Sequence, residues 1–245
     1  MIYLFKTHYS FRKSIIQVEN FKEGLDTNLV NLCLDNNISQ CVIVDDSIGS
    51  IQPAFNTLSE KGISLIFGLR LSFVNNVEDM SDASNNSSHK NIIFCSNKSS
   101  YESLINISSK ASTDFYHKFP RVDYNYIHSV WNDDLTLAIP FYDSFIFNNM
   151  FTRNSCIPDY RDIQPTLFIE NHELAYDFYL QKAVENYSKE TGLEVIETNS
   201  VYYPYKRDFQ AWKLHKIMGK PGFSKNSGLI KPNLNHCSSN TFCIR

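Results

Sequence analysis

The side chains best suited to chemistry are few and scattered. Two adjacent carboxylates, Asp45 and Asp46, close the apolar run 41–44, and His8 follows the apolar run at the N-terminus. A histidine with carboxylates can bind a divalent ion, so His8, Asp45 and Asp46 make one candidate set. His117 and His128 are two more candidates, although a lone histidine is more often structural or exposed. The six cysteines, Cys33, Cys41, Cys95, Cys156, Cys237 and Cys243, form no C-x-x-C pair, so neither a zinc motif nor a redox motif is indicated. Cys33, Cys41 and Cys95 sit in apolar runs and are expected to be buried thiols. No Gly-rich phosphate loop and no G-x-S-x-G turn is present. Near the end of the chain Lys206, Arg207, Lys213, His215, Lys216 and Lys220 form a basic strip. That strip suits a contact with nucleic acid or an acidic partner, and equally a plain solvated helix face.

These groups need a framework. The chain has 245 residues, of which 42 % are hydrophobic and 20 % charged, with a net charge of −3. That fits one sizeable α/β domain without a general affinity for polyanions. Eight Gly against 18 Phe and 14 Tyr indicate a packed interior. Apolar runs at 2–5, 40–44, 63–67, 91–95, 135–139, 166–170 and 194–198 read as strands. Helical patterns lie between them. One is capped by Thr27 and buries Val30, Cys33 and Leu34. A second has Pro53 in its first turn and Gly62 as its stop. A third is capped by Ser99 and carries Leu104, Ile105 and Ile107. A fourth spans 174–189 with Leu174, Phe178, Ala183, Val184 and Tyr187 inward. The last is capped by Asp208 and carries Phe209, Trp212 and Ile217. Residues 79–90 read as an exposed loop or disordered insert, and 219–245 as an extended tail. Strand–helix alternation implies a parallel sheet, and wholly apolar strands imply burial on both faces. With about seven strands, closure into a barrel removes the exposed edges and sets any site at the C-terminal strand ends.

Seven segments, in order, resemble the polymerase-and-histidinol-phosphatase (PHP) domain that opens bacterial DNA polymerase III α-subunits. Tyr9-Ser10 resembles the end of H-x-H-[ST]-x-Y-S. Val42-Ile43-Val44-Asp45-Asp46 resembles the strand ending in T-D-H. Residues 61–70 resemble K-x-G-I-x-x-I-x-G-x-E, and residues 91–107 the strand and helix written L-L-A-K-N-x-x-G-Y-x-N-L. Pro120-Arg121-Val122-Asp123 matches P-R-[VI]-D, residues 197–203 resemble A-T-N-D-V-H-Y, and the helix with Asp208 and Ala211 resembles D-A-E-A-H-D-x-L. The resemblance implies a PHP-type distorted (β/α)7 TIM-like barrel with parallel strands over residues 1–220. It also implies a C-terminal tail, 221–245, similar to the connector between PHP domain and polymerase palm.

In that family histidines and carboxylates at strand ends hold a trinuclear metal centre, whose ions activate a bridging water for phosphoester cleavage. The resemblance places the H-x-H pair on Leu4 and Lys6, the T-D-H pair on Asp45 and Asp46, and the glutamate on Arg70. A later Cys or His falls near Phe141 or Tyr142, and D-x-H falls on Ser200 and Tyr202. Only Asp45, joined by Asp46, stays ligand-competent. His8 and His117 are the residual ligand candidates. Lys6 and Arg70 put fixed positive charge where cations would sit, and they are expected to pair with Asp45 and Asp46.

The expectation is therefore a pseudoenzyme without catalytic residues or cofactor, acting as a structural or interaction module in DNA replication with a polymerase core or other replication proteins as partner. The alternatives are a residual Zn-, Mn- or Mg-dependent phosphoesterase or 3′–5′ exonuclease, and a phage protein that binds host replication machinery. DNA contact would fall to Lys206, Arg207, Lys213, Lys216 and Lys220. The sequence carries no palm, no signal-peptide pattern and no apolar run near ~18 residues. A cytoplasmic protein is expected, in the host cytoplasm if phage-encoded; the Asn-, Ile-, Lys- and Ser-rich composition suits an AT-rich genome of phage or bacterium.

Overall fold

The computed structural model describes residues 1–10, 13–19, 28–152, 155–218 and 239–244. Its elements run β1 (Ile2–Phe5), α1 (Leu29–Asp35), β2 (Gln40–Asp45), α2 (Ile51–Ser59), β3 (Ser64–Val74), α3 (Asp82–Ser87), β4 (His89–Cys95), α4 (Lys98–Ser112), β5 (Arg121–Asp123), α5 (Tyr124–Val130), β6 (Leu135–Ile139), α6 (Phe145–Phe151), β7 (Thr166–Ile169), α7 (Asp177–Thr191), β8 (Val195–Val201) and α8 (Phe209–Met218). The strands pair in the order β2-β1-β8-β7-β6-β4-β3-β5, and β3 also pairs with β2. The pairings thus close into a seven-strand circuit, the connectivity of a TIM-like barrel, with β5 appended to β3. Closure leaves no free edge among the seven.

The expected parallel arrangement holds for β1 with β2 and β8, β6 with β7, β7 with β8, and β3 with β5. It fails at β4, which runs antiparallel to β6 with Ile92 opposite Ala138 and Cys95 opposite Leu135. Apolar pattern alone cannot reveal strand direction, because both directions bury the same faces.

The chain divides into two compact units, one made of Met1–Gly68, Asn171–Leu174 and Thr198–Arg245, the other of Leu69–Glu170 and Ala175–Glu197. In the first, Phe5, Leu29, Leu32, Cys33, Cys41, Ile43, Ala54 and Leu58 are fully buried. Asn28 caps α1 by accepting from Val30 N at 2.8 Å. Thr27, the expected cap, lies outside the described residues. Leu34, expected inside, is half exposed, because Leu29, Leu32 and Cys33 define the inward face. Pro53 stands in the first turn of α2, and Gly62, with φ +71°, takes up the left-handed conformation just past that helix.

In the second unit the core is Leu69, Phe73, Ile93, Leu104, Ile107, Val122, Ile127, Leu167 and Leu180. Asn97, not Ser99, caps α4, in a reciprocal pairing with Ser100. Residues 79–90, expected as a loose insert, are ordered by the fully buried Arg121. Its guanidinium donates to the carbonyls of Val77 (2.8 Å), Asp79 (2.9 Å) and Phe115 (3.1 Å) and to Asn85 Oδ1 (3.3 Å). Asp123 accepts from Val77 N at 3.1 Å and caps α5 through Tyr126 N at 2.8 Å. The P-R-V-D segment is thus a strand whose side chains pin a neighbouring loop. Helix α7 begins at Asp177, whose carboxylate accepts from Tyr142 Oη at 2.9 Å. That anchor turns Leu180 and Val184 inward and leaves Phe178, expected in the core, 58 % exposed beneath Lys182. Among the described residues no helix is long and apolar enough to cross a membrane.

Candidate functional site

Asp45 ends β2 and is completely buried. Its Oδ1 accepts from Thr7 N at 2.9 Å and Ser10 Oγ at 2.7 Å, and its Oδ2 accepts from Thr7 Oγ1 and Ser50 Oγ, both at 2.5 Å. Four short, charge-assisted hydrogen bonds offset the desolvation of the carboxylate. They also use the directions in which a cation would be held. Asp45 was expected to pair with a cation, but among the described residues three hydroxyls and an amide hold it instead. The next residue behaves differently. Lys6 Nζ lies 3.2 Å from Asp46 Oδ1, and Lys13 Nζ lies 2.7 Å from Asp46 Oδ2. Ser10 Oγ accepts from Asp46 N at 3.0 Å, tying the two carboxylates to one turn.

The remaining positions in this unit follow suit. Leu4 is core, in register with Ser200 across β1 and β8. Tyr202 gives its backbone N–H to Phe242 O at 3.0 Å, and its carbonyl accepts from Ser14 Oγ and Ile15 N. The Tyr202 ring packs on Phe242 and Trp212 at centroid distances of 5.4 and 6.0 Å. His8 faces Glu19, with Nε2 3.8 Å from Oε2. Tyr9 Oη donates to Glu19 Oε1 at 2.6 Å, a bond that with burial pushes the phenol up to about 12. A metal set of His8, Asp45 and Asp46 therefore does not form: the Asp45 oxygens are taken by other donors, and two ammonium groups face Asp46. These residues do not fit a metal centre. Among the described residues no group of three or more His, Cys, Asp or Glu side chains lies close enough to hold one ion.

In the second unit Arg70 is 7 % exposed and donates to Asp143 Oδ2 at 2.8 Å and to Tyr142 O at 3.2 Å. Asp143, which was not anticipated as its partner, has φ +61°. A short polar side chain tolerates that left-handed backbone, and Lys90 N bonds its carbonyl at 2.8 Å. Phe141 and Tyr142 are buried, the Tyr142 hydroxyl being held well above the usual phenol range chiefly by burial. His117 lies in a bridge with Phe119, near Asp82. His128 Nε2 donates to Asp159 O at 2.8 Å, a backbone tie.

Two histidine sites escaped the sequence reading. His172 is buried, stacks on Phe242 at 3.6 Å and bonds Thr241 Oγ1 at 3.2 Å. His89 is 2 % exposed, with Nδ1 2.9 Å from Cys156 Sγ and Nε2 2.9 Å from Tyr124 Oη. A Cys–His pair suggests a nucleophile, but burial drives the imidazole down to about 3 and the thiol up to about 12. Both partners are neutral, so no reactive thiolate forms.

The His89 shift gives a pH prediction. The group is protonated below its ordinary value of 6.5 only in the unfolded chain, until pH approaches about 3. Its contribution is complete above 6.5 and is lost as pH falls from 6.5 toward 3, at up to roughly 1.4 kcal/mol per pH unit. Urea unfolding at pH 7.0 and 4.5 should show a His89→Gln variant destabilised at pH 7.0 but with a shallower acid dependence. Parallel profiles would contradict this.

No curated protein matches the chain. Residues 5–191 match the family described as the PHP domain. The match covers well over half of the sequence and runs from the last residue of β1 to the last residue of α7. The chain belongs to the PHP domain family.

Proposed function

We propose that this PHP domain is a pseudoenzyme that serves as a structural or interaction module of a DNA replication machine, with a polymerase core supplied by another chain as its partner. The family fold is that of phosphoesterases; the resemblance of its motifs to those of polymerase III α-subunits supports the replication assignment. The observation that carries the reading is the engagement of Asp45 by Thr7, Ser10 and Ser50. A ligand carboxylate must offer open lone pairs to a cation, whereas this one is embedded in donors. Lys6 and Lys13 on Asp46 add positive charge at the same turn. What would remain is a rigid scaffold whose strand-end loops are closed by side-chain contacts.

The test has two arms. Purified chain should carry no stoichiometric Zn or Mn by elemental analysis and should not hydrolyse bis(p-nitrophenyl) phosphate with added Mn²⁺. It should also form a complex, seen by size exclusion, with a polymerase polypeptide that contains palm and fingers but no PHP domain. Metal-dependent turnover abolished by Asp45→Asn would overturn the pseudoenzyme assignment. Failure to bind any such polymerase polypeptide would overturn the scaffold assignment.

A further inference from the structure

Residues 205–216 carry cations on a fixed aromatic platform. Trp212 is 1 % exposed, donates through Nε1 to Lys13 O at 2.8 Å, and packs on Tyr203 at 5.1 Å. Over this base, Arg207 lies on the Tyr205 ring at 5.0 Å, Lys213 on Phe209 at 5.2 Å, and Lys216 on Trp212 at 4.4 Å. Lys206 and His215, on the same segment, are exposed. Resting on rings holds these side chains extended and lowers the ordering cost of a contact.

Elsewhere Lys98, Lys110, Lys118 and Arg161 each face a carboxylate, namely Glu102, Asp114, Asp82 and Asp159, while among the described residues the exposed Lys61, Lys182 and Lys189, scattered over the chain, have none at ion-pair distance. Among the described residues, Lys206, Lys213 and His215 have no carboxylate at ion-pair distance. Asp208, the acid within the row, is used by Tyr205 N at 3.1 Å. A chain with net charge −3 thus gathers Lys206, Arg207, Lys213 and Lys216 on its last described helix and the turn before it, Lys206 and Lys213 with no carboxylate at ion-pair distance among the described residues.

We propose that this row is a binding surface for the phosphate backbone of DNA, read without regard to base sequence. Its complement is a regularly repeated anion. The helix and turn span roughly 20 Å at 1.5 Å per helical residue, long enough to meet several successive phosphates. Base stacking has no place in it, because Trp212 is buried and the Tyr205 and Phe209 rings lie under cations. Lys220, which continues the strip in sequence, lies outside the described residues. The inference goes beyond the scaffold role and stands without it. A chain that captured no polymerase would still bind DNA here, and one that captured a polymerase but no DNA would overturn this inference alone.

The test is fluorescence anisotropy of a labelled oligo(dT) and of two duplexes of unrelated sequence, using the full chain from 50 to 300 mM NaCl. Binding should be similar for the two duplexes and fall with salt. For the single strand the logarithmic slope should be about −2 to −3, as three or four phosphate contacts require. The double substitution K206E/K213E should weaken binding at least tenfold and flatten the slope by about 1.4. K61E/K189E makes the same charge change at two exposed lysines elsewhere and should leave affinity and slope as they were. Absence of binding at 50 mM NaCl would refute the proposal, as would equal weakening by K61E/K189E. Displacement of DNA by poly-glutamate at matched charge would instead make an acidic protein the occupant and refute it too.

Discussion

Replacing Asp45 by alanine should destabilise the fold by about 3–5 kcal/mol, with or without divalent metal. Two effects add. The substitution removes four hydrogen bonds to a buried carboxylate, and it leaves the Thr7, Ser10 and Ser50 hydroxyls with the Thr7 amide facing an apolar void. Each buried donor left unmade costs about 1–3 kcal/mol, discounted here because hydroxyls can rotate toward new partners. Asp45→Asn keeps the shape but puts an amide NH₂ among donors, so about half of the loss should persist. A metal-ligand carboxylate behaves in the opposite way. In a metal-free protein its removal relieves like-charge repulsion, and in a loaded one the loss scales with metal concentration. Urea denaturation of wild type, Asp45→Ala and Asp45→Asn, each with EDTA and with 1 mM Mn²⁺, separates the two. Wild type stabilised by Mn²⁺, together with an Asp45→Ala variant at least as stable as wild type in EDTA, would end the structural reading of this carboxylate.

The second large effect is expected at Phe242, 24 residues beyond the end of α8 in sequence. It is fully buried, stacked on His172 at 3.6 Å, and packed against Tyr202 at 5.4 Å and Trp212 at 6.4 Å. Its carbonyl accepts from Tyr202 N at 3.0 Å, and the Cys243 carbonyl accepts from Asn199 Nδ2 at 3.2 Å. Phe242→Ala should therefore cost about 3–5 kcal/mol, as truncation of a buried aromatic usually does. Truncation after residue 238 should cost at least as much, since it also removes Thr241, which donates to His172 O at 3.0 Å. Thermal melts followed by circular dichroism would report either change as a drop in Tm of several degrees. A Phe242→Ala variant within about 1 kcal/mol of wild type would mean that the segment does not pack in solution. The tail read from the sequence as an extended connector is, over 239–244, an integral part of the first unit.

These two sites mark the boundary between what is local and what is not. Seven strands, β1, β2, β3, β4, β6, β7 and β8, were legible, β3 and β8 in their N-terminal parts, because a short apolar, β-branched run bounded by polar residues has few other uses. Gly62 marked a helix end because a left-handed residue is needed there, and it has φ +71°. Lys6, Leu4 and Arg70 were readable as non-ligands from residue type alone, since neither an ammonium, an alkyl chain nor a guanidinium offers a lone pair to a cation. The order of the motifs was enough to indicate the PHP domain.

Partners were another matter. Asp45 finds Thr7 and Ser10 across 38 and 35 residues, and Arg70 finds Asp143 across 73. Phe242 meets Tyr202 and His172 from segments far away in the chain. Arg121 turned residues 79–90 from an apparent loop into ordered structure through carbonyls that carry no sequence signal. The reversal of β4 and the outward turn of Phe178 are of the same kind. Residue type and periodicity determined which strands form, which family they build and which side chains lack ligand chemistry, because those properties belong to each residue and its neighbours. The tertiary structure alone decided that hydroxyls hold Asp45, that Lys13 joins Lys6 on Asp46 and that the tail closes over His172, because a hydrogen bond or a buried contact depends on which distant atoms arrive within about 3–4 Å of each other.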